Sequence, residues 1–148
     1  MYINQIIKKS KELGIVPIKA TDKEINEVMQ LSPKGVLPQA YIEFMKEFGN
    51  GGYMMGDSCF MDEIGMLRNG AIDLLVENES SNTLTDNDFV FWMSQGYMFC
   101  FFRLDEGDDP PVYYYNEAKE DRFIKITNSL SEFLLGMMIK DKDLFNEV

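Results

Sequence analysis

The segment YMFCFFRL at residues 97–104 constrains the fold more than any other part of the chain. It shows almost no polar alternation, so a strand built from it belongs in the middle of a sheet with both faces covered. Residues 89–93 are equally rich in aromatics and are separated from it by Ser94, Gln95 and Gly96, which reads as a β-hairpin. Residues 112–115 and 123–126 are expected to add two more strands. A sheet buried on both sides needs helices to cover it.

The helical pattern is clear at both ends. Ile3, Ile6 and Ile7 predict an amphipathic helix to about Leu13, stopped by Gly14. Thr21 and Glu24 are spaced as a capping box, and Ile25, Val28 and Met29 form the inner stripe of a second helix ending before Pro33. A third helix is expected with Pro38 at its first position, Tyr41, Phe44, Met45 and Phe48 inside, and Gly49 left-handed at its end. Residues 53–55 and 59–61 read as two short strands, and residues 71–84 as a helix. Ser129 and Glu132 suggest a second capping box, followed by the stripe Leu130, Phe133, Leu134, Met137 and Met138. Gly136 lies in that helix at a cost of about 1 kcal/mol relative to Ala, which points to close packing on the sheet. The expected fold is α+β: a single, mostly antiparallel sheet with N-terminal helices and a C-terminal helix packed on it. No repeat or linker divides residues 1–148, so one domain is expected.

The 148 residues include no histidine. That removes Ser-His-Asp and Cys-His couples, the HExxH zinc site, and any unshifted base near neutrality. The net charge is −11, which repels phosphate backbones and favours a basic partner over nucleic acid. The charge is uneven. Residues 1–50 carry seven lysines and six acids, whereas residues 51–148 carry seven basic and nineteen acidic residues, a net of −12. Acidic surfaces serve solubility as well as partners. The N-terminus lacks the features of a secretory signal, and no stretch approaches the roughly 18 apolar residues of a membrane span. Cys59 and Cys100 are read as buried thiols, and a cytoplasmic location is expected.

Candidates for chemistry are sparse. Asp105, Glu106, Asp108 and Asp109 crowd a five-residue loop, but their spacing does not match a calcium-binding loop. Asp62 and Glu63 form a carboxylate pair without a cleft to serve. Asn50, Gly51 and Gly52 follow a helix instead of opening one, so they are no phosphate loop. Trp92 is expected in the core. No catalytic residue, metal ligand or cofactor motif is assigned. Among Tyr113, Tyr114 and Tyr115, alternation puts the middle residue on the opposite face, leaving Tyr113 or Tyr115 to anchor an interface.

LPQAYIEFMKEFGNGG at residues 37–52 resembles the leading motif of the SUKH superfamily. DFVFWMSQGYMFCFFRLDEGDDPPVYYY at residues 88–115 is similar to its second block, and Ser129, Glu132, Phe133 and Leu134 resemble its closing helix. The three blocks occur in order over about two-thirds of the chain. The resemblance implies a binding protein and not an enzyme. Bacterial members are mostly immunity proteins that neutralise a cognate toxin, often a nuclease; fungal relatives regulate cell-wall assembly through protein contacts. On charge and exposure, the expected partner-binding residues are Asp57, Asp62, Glu63, Asp105, Glu106, Asp108, Asp109, Tyr113 and Tyr115, facing a basic toxin. Two alternatives stand beside this expectation: a cell-wall synthesis regulator or scaffold acting through protein contacts, and a carboxylate- or metal-dependent hydrolase.

Overall fold

The computed structural model describes residues 1–53 and 58–148. Four helices, α1 (Asn4–Glu12), α2 (Asp22–Gln30), α3 (Gln39–Phe48) and α4 (Ile64–Glu77), precede the strands β1 (Asp88–Ser94), β2 (Met98–Arg103), β3 (Val112–Asn116) and β4 (Ile124–Thr127). Helix α5 (Leu130–Met138) follows them. The strands form one antiparallel sheet in the order β1-β2-β3-β4, so the α+β expectation holds.

Aromatic side chains explain why β2 is central. Phe99, Cys100, Phe101 and Phe102 are all completely buried, and burying each phenylalanine contributes about 1.5–3 kcal/mol. On one face Phe102 meets Phe89, Phe91 and Tyr41 of α3, and Phe91 meets Phe133 of α5. On the other, Phe99 and Phe101 pack on Tyr115, Tyr113 and Phe123. The β1–β2 register shifts between Val90 and Trp92. This bulge turns two consecutive large rings, Phe91 and Trp92, toward α5, where both touch Phe133. Trp92 is in the core as expected, and burial pushes the Cys100 thiol well up, which suits an inert packing residue.

Several local expectations change. The fourth helix starts at Ile64, seven residues earlier than its pattern suggested, and ends at Glu77. Its buried stripe is Ile64, Leu67, Ala71, Leu74 and Leu75, which Gly65 and Gly70 obscure in the sequence. Residues 78–84 are a connection, not helix. Of the two short strands, residues 54–55 lie outside the described residues. The other, residues 59–61, forms no strand, because the Phe60 carbonyl already accepts from the Glu63 and Ile64 amides as the helix begins; one bridge stands just before it, between Ser58 and Met93. Pro38 sits at the N-cap of α3, just before its first helical residue.

Gly49 is right-handed (φ −56°), and the left-handed glycines are the two after it, Gly51 and Gly52. Space also selects glycine here: a Cβ on Gly49 would stand 2.6 Å from the Ala20 Cβ, and one on Gly52 would stand 2.9 Å from the Pro17 Cα. The Asn50–Gly51 exit thereby clasps the α1–α2 connection, with backbone bonds in both directions to Ile18. The Thr21 and Glu24 capping box is complete. At Ser129 the hydroxyl accepts from the Glu132 amide, but a different carboxylate, Asp109, serves the amide of Ser131. Gly136 admits the Leu144 side chain, not the sheet.

Candidate partner-binding surface

Antiparallel strands place the β2–β3 connection and the α5 start at one end of the sheet, next to the N-terminus of α3. Helix N-termini carry amide groups without intrahelical partners and a partial positive charge, so acids gather there favourably. The residue 105–109 loop uses this directly. The Asp109 carboxylate accepts from the Ser131 amide at 2.8 Å and from its hydroxyl at 2.6 Å. The backbone carbonyl of Asp108 accepts from the Ala40 amide at 2.9 Å. One short loop therefore satisfies the first turns of two helices.

Glu106 is held as well. It accepts from the Tyr113 hydroxyl at 3.0 Å, and Arg103 lies 4.0 Å away. The Arg103 guanidinium lies 4.2 Å from the centre of the Tyr113 ring, a cation–π contact, and its Nε donates to Asp88 at 3.3 Å. Partial burial, and then the Glu106 carboxylate, push the Tyr113 phenol above its usual value. The Asp88 side chain is itself only 4% exposed and also accepts from the Thr85 amide and hydroxyl.

The sequence-predicted site residues thus divide. Asp105 and Asp108 have exposed side chains with no hydrogen bond or ion pair among the described residues. Asp62 is exposed and Glu63 half-buried at the start of α4. Tyr113 is half-buried in the Arg103–Glu106 cluster, so it offers an edge and not a whole ring. Tyr115 is wholly buried; its ring stacks on Phe99 and its hydroxyl reaches Asn78 and Asp121, so it cannot anchor a partner. Asp57 lies outside the described residues. The structure brings Glu106 and Tyr113 together, and Asp88 links their cluster through Arg103 to Arg68 of α4.

A further acid has a structural use the sequence did not disclose. Asp121 accepts from the Ser80 hydroxyl, the Ser81 amide and Asn82, tying the connection after α4 to the β3–β4 turn. These bonds, Ser80 first and then the Ser81 amide, hold its carboxyl below the usual carboxylate range. The cluster of Ser80, Ser81 and Asn82 was its only signal, and nothing in sequence pairs it with a residue forty positions later. Among the described residues, no group of three or more cysteines and acids is placed to hold a metal ion, and no helix is long and apolar enough to cross a membrane.

A family model, SUKH_6, described as SMI1-KNR4 cell-wall, matches residues 23–134, about three-quarters of the chain. Comparison with curated proteins and with solved structures gives no match. The chain belongs to the SMI1-KNR4 family of the SUKH superfamily.

Proposed function

We propose that this SUKH-family chain is an immunity-type binding protein that acts in the cytosol, holding a basic toxin domain, of nuclease type, through an acidic surface. Family membership supports an immunity-like or cell-wall-related role exercised through protein contacts. The observation that favours the toxin is the net −12 of residues 51–148, on a chain without histidine. A nuclease must attract phosphate, so its substrate cleft is basic, and an acidic protein is steered to it. In this reading the chain does no chemistry of its own. Asp62, Asp105 and Asp108, exposed in the structure, take part in steering, while Asp109 and Glu106 keep the surface in shape.

The test is co-expression with any nuclease-type toxin domain found among the genes that neighbour this one. Protection of the cells is expected, together with a complex whose affinity falls about tenfold or more as salt is raised from low to physiological concentration and beyond. Unprotected cells and no complex would sink the reading. The family description favours regulation of cell-wall synthesis as the second reading, which replaces the toxin with a wall-assembly protein and predicts altered wall growth on deletion.

A further inference from the structure

Residues 62–88 carry seven acids and one cation, Arg68. Arg68 is turned inward: Nη1 donates to the Asp88 carbonyl at 2.6 Å and Nη2 to the Thr85 carbonyl at 3.0 Å. Asp62, Asp73, Glu77, Glu79 and Asp86 remain exposed. The same stretch exposes large apolar side chains. Met66, Ile72 and Val76 on α4 are 68%, 38% and 72% exposed. Helices α1 and α2 instead show Lys8, Lys11, Glu12, Asp22, Lys23 and Glu27 to solvent. A helix with apolar groups on its outer side is unusual on a free surface and marks a place of contact.

The shape agrees with the composition. A hollow of about 160 Å³ lies beside the first half of α4, between Gly65, Arg68, Leu31, Pro33 and Asp86. A second, of about 230 Å³, lies beside its second half, between Ile72, Val76, Asn82 and Leu84. At about 100° per residue, Gly65, Ile72 and Val76 fall within about 40° of one another around the helix. The two hollows therefore lie in line on one flank, walled on the far side by the connection that returns from α4 to β1. Gly65 of the first and Ile72 of the second are seven residues apart along α4, or about 11 Å at 1.5 Å per residue.

We propose that this trough is the docking site of the basic partner, and that the partner inserts an amphipathic helix. Two of its apolar side chains, at i and i+7, fill the two hollows, since seven helical residues span the same distance. Its lysines and arginines face Asp73, Glu77 and Asp86. Charge selects this occupant over a second copy of the chain, which would bring the exposed acids of one trough against those of the other. The proposal rests on the binding-protein reading above and moves the main contact from the 105–109 loop to α4.

Two lysine-rich helical peptides of equal composition, with leucines at i and i+7 or at i and i+5, test it by titration into the isotopically labelled full chain. The i, i+7 peptide is expected to bind more tightly, to shift amide signals along residues 64–90, and to weaken with salt. Leu31→Glu and Val76→Glu, at exposed positions, should each weaken it about tenfold with unchanged circular dichroism, on the scale of losing one buried apolar anchor. Asp105→Asn combined with Asp108→Asn, which touches steering and not the trough, should weaken it far less than either trough substitution. Equal binding of the two peptides, no binding of either, or shifts centred on the 105–109 loop would overturn the trough. So would a dimer of the chain that Val76→Glu dissolves. If the Leu31→Glu, Val76→Glu chain still protects cells from the toxin as the parent does, the trough fails and the binding reading stands. A parent chain that does not protect sinks that reading itself, whatever the peptides do.

Discussion

The 105–109 loop and the flank of α4 are both strongly acidic, yet they hold their charge differently. In the loop, Asp109 serves the amide and hydroxyl of Ser131, Glu106 serves Tyr113 and Arg103, and the Asp108 carbonyl serves Ala40. Along α4, Asp73, Glu77 and Asp86 stand in solvent beside exposed apolar side chains. Density of acids in the sequence is therefore a poor measure of charge available to a partner. A loop at the end of a sheet lies among the open amides of helix starts, and its carboxylates are drawn into them. Acids on the outer side of a helix find no such donors.

Substitutions that break the comparison differ in size. Asp88→Ala should have the largest effect, a loss of about 3 kcal/mol in urea unfolding. It leaves the Thr85 amide and hydroxyl and the Arg103 guanidinium without their buried acceptor. A loss below about 1 kcal/mol would show that relaxation and water replace it easily. Asp109→Ala should lower stability by about 1–2 kcal/mol, the scale of losing a helix-start acceptor, whereas a surface acid would give almost nothing.

Asp121 gives a pH-dependent and smaller effect. Its pKa is depressed in the folded chain, so its contribution is complete above the usual carboxylate range and is lost as the pH falls through the depressed value. Unfolding midpoints of the parent and Asp121→Asn should therefore differ at pH 6 and converge in strong acid. A gap that widens on acidification would contradict this sign. Smallest of all, Asp105→Asn with Asp108→Asn should change stability by no more than about 0.5 kcal/mol, as exposed side chains without partners do.

The central strand, the hairpin, the N-terminal helices and α5 were legible because their patterns are local: a run without polar alternation, stripes at helical spacing, and a capping box within four residues. What the sequence hid was relational. Gly65 and Gly70 interrupt the look of α4, whose helical state is set by packing of Leu67, Ala71 and Leu74 on the sheet. Gly49 looked like a left-handed terminator, yet it is there because Ala20 approaches it. Tyr113 and Tyr115 were correctly placed on one face, but Phe123 covers Tyr115 there and Arg103 lies over Tyr113. Asp109 looked like a partner-facing acid, and only the fold reveals Ser131 beside it, twenty-two residues on.

The strand order has a kinetic consequence. Because β1-β2-β3-β4 follows the chain, each strand can join the sheet beside the one before it, across a short connection. Loop closure then costs little at each step, and the sheet can grow as a zipper from the aromatic β1–β2 hairpin. Helix α3 must still reach across to β2 and α5, and α1 meets α5, which joins the beginning of the chain to its end. That late clasp makes the assembly cooperative.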